Sequence, residues 1–160
     1  MNVVAKFEKV SFVEFSKEIN DIECYNAIML PQRATKGSAG YDFYAPFDFT
    51  LKPGETIKVP TGIRVKIVEG WFLGIYPRSG LGFKYRLQLN NTVGIIDSDY
   101  YNALNEGHIF IKITNDTNEN KVLTVKKGEA FAQGIFMPFG FTEDDEVTNV
   151  RTGGMGSTTK

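Results

Sequence analysis

Short runs in which apolar and polar residues alternate recur along the whole chain. The clearest runs are Lys6–Phe15, Glu55–Val59, Ile63–Val68, Trp71–Tyr76, His108–Ile113 and Lys121–Val125. Alternation with a period of two, in segments rich in β-branched and aromatic residues, is typical of strands with one buried face. Only Glu18–Leu30 is predicted to contain a short helical turn. The pattern therefore predicts an all-β fold, either a sandwich or a small barrel.

Length and composition narrow the class of protein. A chain of 160 residues fits one domain, and 18 Lys and Arg against 19 Asp and Glu argue against a polybasic protein that binds nucleic acid directly. One cysteine, Cys24, and one histidine, His108, leave no disulfide framework and no Cys- or His-based metal site. No apolar run approaches the ~20 residues of a membrane helix. Lys6 and Glu8 interrupt the apolar start, so we expect no signal peptide, no membrane segment and a cytoplasmic location.

The last ten residues, 151–160, differ in composition from residues 1–150. They read RTGGMGSTTK and consist mainly of glycine and small polar residues. Such a stretch buries little apolar surface and is expected to be flexible by itself. Composition alone favours a frayed tail. The alternative is an arm that becomes ordered on a ligand, because glycine-rich backbone presents N–H groups to phosphate oxygens.

Four other segments combine polar side chains with glycine or aromatic residues. They are Ser38–Pro46 (SAGYDFYAP), Pro77–Gly82 (PRSGLG), Asn91–Tyr101 (NTVGIIDSDYY) and Gly128–Gln133 (GEAFAQ). Each has a purely structural explanation when taken singly. Asp42 could be a turn acid and PRSG a plain β-turn. Asp97 could cap the turn that follows it, and Gln133 could be an exposed strand residue.

Taken together, the segments AGYDFYA, PRSGLG, NTVGIIDSDY, GEAFAQ and RTGGMGST resemble, in order and spacing, the five motifs of the trimeric deoxyuridine triphosphatases (dUTPases). GIIDSDY is the most specific of them, and the resemblance covers residues 35–160. It implies a distorted antiparallel jelly roll of the β-clip type that assembles as a homotrimer with shared active sites. One chain supplies the first, second and fourth motifs, and a second chain supplies the third. The flexible C-terminal arm of the remaining chain, residues 151–160, closes the site.

The resemblance also implies the reaction. The family hydrolyses dUTP to dUMP and pyrophosphate with Mg²⁺ on the triphosphate, which keeps uracil out of DNA and supplies dUMP for thymidylate synthesis. Asp97 would be the general base that orients the attacking water. A carboxylate with an ordinary pKa of about 3.9 is ionised at pH 7 and can accept that proton. Asp42 would act on the metal indirectly, through a bound water.

The substrate-binding residues follow from the same resemblance. The phosphates would be held by Arg78, Ser79, Gly80 and Gln133. The uracil would be recognised by Asn91, Gly94, Ile95 and Ile96, and Tyr100 would pack against the deoxyribose. The arm would contribute Arg151, Met155, Gly156, Ser157 and Thr158, with Arg151 at the γ-phosphate.

The sequence departs from the family pattern at three places. Met155 stands where the arm usually has a phenylalanine over the uracil, so either its thioether covers the base or an aromatic residue from elsewhere does. The candidates for that aromatic residue are Phe83, Tyr85 and Tyr101. Ala130 stands where the fourth motif often has arginine. The connection after Tyr100 is longer than usual and contains Glu106-Gly107-His108, in which we expect His108 to be structural.

Two other functions stay open at this point. One is a dCTP deaminase, which is a related enzyme on the same fold. The other is a nucleotide-sensing or partner-binding protein without catalysis. The GIIDSDY motif and the GGxGST arm favour the hydrolase, and a regulatory protein partner in addition to catalysis is compatible with all of these observations.

Overall fold

Antiparallel strands form most of the architecture. The computed structural model describes residues 2–156. The strands are β1 (Ala5–Lys9), β2 (Gln32–Arg33), β3 (Tyr41–Tyr44), β4 (Phe49–Leu51), β5 (Thr56–Pro60), β6 (Ile63–Ile67), β7 (Trp71–Pro77), β8 (Leu87–Leu89), β9 (Gly94–Ile96), β10 (Phe110–Asn115), β11 (Leu123–Val125) and β12 (Ala130–Pro138). The helices are α1 (Phe12–Phe15), α2 (Ile22–Asn26), α3 (Ser79–Tyr85) and a 3₁₀ helix at Ser98–Asn102.

In the part of the chain that the structure describes, the strands form four small sheets. A five-stranded sheet has the order β2-β3-β12-β7-β9, a three-stranded sheet has the order β5-β10-β8, and β1-β6 and β11-β4 form pairs. Every pairing is antiparallel. The predicted all-β class is confirmed.

The core consists of the inward faces of these sheets. In β6 the side chains of Ile63, Val65 and Ile67 are buried while Lys66 is exposed. The same alternation occurs in β10, because successive side chains of a strand point to opposite faces. The apolar runs that predicted β5, β6, β7, β10 and β11 are therefore strands in the structure.

The first predicted run, Lys6–Phe15, is only partly a strand. β1 ends at Lys9, and Ser11 begins α1, where its hydroxyl accepts a hydrogen bond from the Glu14 N–H at 3.1 Å. A side-chain acceptor at this position stabilises a helix start and overrides the alternating pattern. The short helix expected within Glu18–Leu30 is present as α2, whose first turn is capped by Asp21.

A second difference concerns the segment that follows β7. The PRSGLG sequence suggested a turn, but the chain forms α3 there and ends it at Arg86, which adopts a left-handed conformation with φ 49°. Gly80 and Gly82 disfavour a helix on propensity alone, so tertiary contacts decide this segment. Within residues 2–156, none of the helices is long and apolar enough to cross a membrane.

Candidate active site

The third motif forms a hairpin that lies on the five-stranded sheet. β9 pairs with β7, with Gly94 opposite Ile75 and Ile96 opposite Leu73. A Cβ at Gly94 would lie 3.0 Å from the Ile75 Cβ, so glycine allows the hairpin to approach β7 closely. Gly94 therefore faces the sheet, whereas Ile95, 52% exposed, faces outward.

Asp97 follows β9 directly and precedes the 3₁₀ helix at Ser98–Asn102. Within the described part of the chain its carboxylate makes no capping hydrogen bond to that helix, so the turn-capping explanation is wrong. Its Oδ2 instead lies 2.6 Å from Arg151 Nη2. Burial raises the pKa of Asp97, the nearby Arg151 cation opposes this shift, and Asp99 adds to it. The carboxylate is therefore a stronger base than the ordinary aspartate assumed from sequence.

A cavity of about 250 Å³ lies between this hairpin and the C-terminal arm of the same chain. It is lined by Asn91, Val93, Ile95, Ile96, Asp97, Tyr100, Arg151, Met155 and Gly156. Sites for drug-sized ligands usually exceed ~300 Å³, so this cavity has room for only part of a nucleotide. The structure brings together most of the residues predicted to contact base, sugar and water.

Tyr100 forms one wall of this cavity and is almost completely buried. Its hydroxyl donates to the His108 carbonyl at 2.5 Å and accepts from Asn105 Nδ2 at 2.8 Å. Burial raises the pKa of the phenol. The hydroxyl is therefore held by two hydrogen bonds, and the phenol is neutral at pH 7.

The first, second and fourth motifs meet at another place on the five-stranded sheet. Gln133 on β12 lies opposite Asp42 on β3 and Tyr76 on β7. Arg78 Nε lies 3.2 Å from Asp42 Oδ1, and Gln133 Nε2 donates to the Pro77 carbonyl at 3.1 Å. A half-exposed guanidinium and a nearby side-chain amide are groups suited to phosphate oxygens.

Ser79 and Gly80 begin α3 beside this cluster, and both are exposed. A cavity of about 460 Å³ there is lined by Tyr76, Pro77, Arg78, Ser79, Gly82 and Phe83. These residues are accessible to a ligand that approaches from solvent or from another molecule.

The two groups of site residues lie at opposite ends of β7. Ile96, the neighbour of Asp97, pairs with Leu73, whereas Arg78 lies five residues further along the chain. At about 3.4 Å per residue this is ~17 Å of extended strand, more than the two side chains together can span. Asp97 and Arg78 are therefore far apart within one chain.

The arm residues Met155 and Gly156 both lie beside the cavity. Met155 is 44% exposed and lies at the edge of the cavity, and Gly156 adopts a positive φ of 78°. Ser157 and Thr158, which the sequence also assigned to the site, lie outside the described residues.

The aromatic residues considered as replacements for the usual phenylalanine do not line this cavity within residues 2–156. Phe83 projects from α3 and is 92% exposed. The Tyr101 hydroxyl donates to Glu8 Oε2 at 2.7 Å, and Arg64 lies 3.7 Å from the centroid of its ring. Tyr85 packs against the core. Of these four side chains, only Met155 lines this cavity within residues 2–156.

The connection after Tyr100 has a structural role, because two of its side chains bond to other segments of the chain. His108 is fully buried, and its Nε2 accepts a hydrogen bond from the Gly62 N–H at 2.9 Å. Burial lowers the pKa of His108 to about 4, so it is neutral at pH 7 as expected for a structural histidine. The Glu106 carboxylate accepts from the Ser11 N–H and hydroxyl at 3.0 and 2.5 Å.

The structure adds residues that the sequence did not indicate. Asp99 Oδ1 accepts from Arg151 Nε at 2.8 Å, and Asn105 bonds Tyr100. The only sequence signal for Asp99 was its place in the DSD triplet. Within residues 2–156, no group of three or more His, Cys, Asp or Glu side chains is arranged to hold a metal ion.

The antiparallel β domain thus combines a carboxylate-bearing hairpin, a cluster of Arg78, Asp42 and Gln133, and a glycine-rich arm. The chain belongs to the dUTPase family, whose family model matches residues 26–159. It is 45% identical over 134 residues to the deoxyuridine 5'-triphosphate nucleotidohydrolase of Lactococcus lactis subsp. lactis, covering 82% of this chain and 88% of that protein.

Solved structures agree with this assignment. The crystal structure of dUTPase from Streptococcus mutans is 35% identical, with a TM-score of 0.67 over 86% of this chain and 98% of that chain. A mutant dUTPase from phage phi11 of S. aureus, described with a structural Mg(II) ion, has a TM-score of 0.66 at 20% identity and covers 92% of this chain and 98% of that chain. This last similarity concerns the fold alone. The expected family and its antiparallel β fold are thus confirmed.

Proposed function

We propose that this protein hydrolyses dUTP to dUMP and pyrophosphate. The observation that carries the proposal is the cavity in which Asp97, Asn91 and Tyr100 meet the arm residue Arg151. Ionised Asp97 holds a water and accepts its proton as the water oxygen bonds to the α-phosphorus. The bond from that phosphorus to the bridging oxygen breaks, and pyrophosphate leaves with the electron pair.

The hairpin would select the base. Asn91, Val93 and Ile95 line the cavity, and a uracil edge offers one N–H between two carbonyl oxygens. Cytosine reverses part of this pattern and would leave buried polar groups unpaired, which disfavours it strongly. The buried ring of Tyr100 would pack against the deoxyribose and leave no space for a ribose 2′-hydroxyl.

The phosphates would lie against the second cluster. Arg78 follows the end of β7 and Gln133 lies on the neighbouring strand β12, with Ser79 and Gly80 beside them at the start of α3. Charge builds on the non-bridging oxygens and the leaving group during the reaction, so positioned donors supply much of the rate enhancement. Arg151 would bind the γ-phosphate, for which it must leave Asp97.

Asp42 is the carboxylate next to the phosphate cluster, and its Oδ1 pairs with Arg78. A single carboxylate fits Mg²⁺, because this cation is usually held by one or two carboxylates together with substrate phosphates and water. Asp42 would therefore hold the ion through water. When bound, Mg²⁺ neutralises charge on the triphosphate.

The site is proposed to be shared between copies of the chain in a homotrimer. The ~17 Å of chain that separates Leu73, the residue paired with Ile96, from Arg78 supports a shared site. Another copy would supply Asp97 to the phosphates that Arg78 binds. The arm, residues 151–160, would close a site that contains residues of a neighbouring copy. We place the protein in the cytoplasm, where a reducing compartment suits the buried free thiol of Cys24.

The test is a product assay with dUTP, dCTP, dTTP and UTP, each with and without EDTA. We expect pyrophosphate and dUMP from dUTP in strong preference to the other three, and suppression by EDTA. Ammonia release from dCTP would instead identify a deaminase. Absence of pyrophosphate with all four nucleotides would contradict catalysis altogether.

A further inference from the structure

We infer that Asn105, in the lengthened connection after the third motif, is a positioning residue that fixes both Tyr100 and the C-terminal arm for recognition of the deoxyribose. This inference rests on the proposed function, since it concerns how the same site discriminates a deoxyribose from a ribose. Asn105 itself does not line the cavity in which Tyr100 and Arg151 meet.

The first contact joins Asn105 to the Tyr100 hydroxyl. Asn105 Nδ2 donates to Tyr100 Oη at 2.8 Å, and the same hydroxyl donates its proton to the His108 carbonyl at 2.5 Å. The phenol therefore has one donor and one acceptor at fixed positions on the same connection. Because Tyr100 Oη is at the far end of the side chain, these two hydrogen bonds fix the direction in which the ring projects and so the place that it takes in the cavity wall.

The second contact joins the connection to the arm. The Leu104 N–H donates to the Thr152 carbonyl at 3.3 Å. A Cβ at Gly154 would lie 3.3 Å from Asn105 Nδ2, so the Asn105 amide lies directly against the arm backbone. The side chain that fixes Tyr100 is thus also the surface on which the arm rests.

The amide of Asn105 is itself held in place. Its Oδ1 accepts from the Gly107 N–H at 3.2 Å, which orients Nδ2 toward Tyr100. Gly107 has a positive φ of 71°, and a Cβ there would lie 2.7 Å from the Tyr100 carbonyl oxygen. The adjacent Glu106 anchors the connection to Ser11. The connection is therefore held by hydrogen bonds at both Asn105 and Glu106.

This arrangement predicts a specific defect when the amide is lost. Removing the Nδ2 donor releases the Tyr100 ring and loosens the arm, but it removes neither the carboxylate of Asp97 nor any side chain of the phosphate cluster. A ring that can move aside admits a ribose 2′-hydroxyl. The ratio of kcat/KM for dUTP over UTP should fall, and the KM for dUTP should rise, while kcat changes little.

The experiment compares Asn105→Ala and Asn105→Asp with wild type and with Asn102→Ala as the matched control. Asn102 is an exposed asparagine of the same connection. Aspartate keeps the size of the side chain, but an ionised carboxylate cannot donate to the phenol. We expect both Asn105 variants to lower the ratio of kcat/KM for dUTP over UTP by about tenfold. This is the effect of losing one hydrogen bond whose free energy is near the upper end of the usual range. Asn102→Ala should keep the wild-type ratio.

A second readout does not depend on activity. Arg151 is mostly buried by its contacts, so trypsin should cleave after it slowly in wild type and several-fold faster in Asn105→Ala, as measured by intact mass. Wild-type selectivity in Asn105→Asp, or unchanged cleavage in Asn105→Ala, would overturn the inference. Failure of the wild-type protein to hydrolyse dUTP would instead overturn the proposed function.

Discussion

The guanidinium of Arg151 and the carboxylate of Asp97 form an ion pair, with 2.6 Å between Nη2 and Oδ2. Arg151 Nε also donates to Asp99 Oδ1 at 2.8 Å, and the Arg151 side chain is only 10% exposed. The arm residue proposed for the γ-phosphate therefore also neutralises the proposed general base. A phosphate oxygen and Asp97 compete for the same guanidinium, which couples binding of the nucleotide to release of the base.

Replacing Asp97 with asparagine should remove the base and leave the shape of the cavity unchanged. General-base catalysis is typically worth 10²–10⁴-fold, so we expect kcat to fall by about 10³-fold. Affinity for a non-hydrolysable dUTP analogue, measured by calorimetry, should stay within a few-fold of wild type.

The matched control is Asp99→Asn, which removes a carboxylate two positions away that binds Arg151 but is not the proposed base. It should keep kcat within about tenfold of wild type, because only one hydrogen bond to Arg151 is lost. If Asp97→Asn retained near-normal turnover, the assignment of the base would be wrong.

The raised pKa of Asp97 predicts the pH dependence of the reaction. The base must be ionised, so kcat/KM falls as the pH drops through its pKa in the free enzyme. Because burial raises that pKa above the ordinary 3.8, the loss should begin at higher pH than for an exposed aspartate. A pH profile of kcat/KM measures the midpoint.

Two variants should move this midpoint in opposite directions. Asp99 raises the pKa of Asp97, so Asp99→Asn should shift the acid limb to lower pH. Arg151 lowers the pKa of Asp97, so Arg151→Gln should shift the limb to higher pH. Shifts in the same direction for both variants would show that another group controls the profile.

Most strands could be predicted from the sequence, because the alternation of apolar and polar residues is visible within each strand alone. β6 and β10 each alternate between buried apolar residues and exposed lysine, and this period of two is visible without any partner strand. α3 was not predicted, because Gly80 and Gly82 lower its helix propensity and only tertiary packing restores it. α1 was hidden inside an alternating run that Ser11 interrupts by capping.

In the candidate site, too, local features could be predicted from the sequence and tertiary contacts could not. Asp97 was identified from its motif, but its partners were not. Asp99 reaches Arg151 across 52 residues of sequence, and the effect of Asn105 depends on how the connection folds back toward Tyr100. Such roles depend on three-dimensional placement, and a single sequence carries no periodic or compositional signal for them.

His108 predicts how stability depends on pH. Its pKa is about 4 in the folded protein against 6.5 for an ordinary histidine, so the unfolded chain binds more protons between these values. The free energy of unfolding should therefore fall as the pH drops from 6.5 toward 4, by about 3 kcal/mol in total from this group. Denaturant unfolding at fixed protein concentration measures it.

The control is His108→Gln, whose amide oxygen can still accept from the Gly62 N–H but does not titrate. Within residues 2–156, His108 Nδ1 has no hydrogen-bond partner, and Glu14 Oε1 lies 3.7 Å away. The difference in unfolding free energy between wild type and variant should change across this window and be constant above pH 7. A constant difference throughout would mean that His108 titrates normally.

Met155 should cover the base less well than an aromatic side chain. Contact of a thioether with a π face is worth ~0.3–1.5 kcal/mol, so Met155→Ala should raise the KM for dUTP about two- to tenfold. Met155→Phe should lower the KM below that of wild type. Val147→Ala, an exposed position that precedes the arm, should leave the KM unchanged. A wild-type KM in Met155→Ala would show that this side chain does not cover the base.

The separation of Asp97 from Arg78 along β7 predicts complementation between inactive variants. If the two residues serve one site from different copies, Asp97→Asn and Arg78→Ala chains should be inactive alone and active when mixed. A site in a mixed trimer works when the copy that supplies Arg78 and the copy that supplies Asp97 are both intact there. With random 1:1 assembly this holds for about one quarter of the sites of a symmetric oligomer.

The measurement is dUTP hydrolysis after the two variants are unfolded together and refolded as a mixture. Recovery should approach about one quarter of the activity of wild type treated in the same way, as random assembly of a cyclic oligomer requires. Each variant refolded alone gives the baseline, and mixing the folded proteins without unfolding tests whether copies exchange. If Asp97 and Arg78 acted within one chain, every chain in the mixture would lack one of them and activity would stay at the baseline.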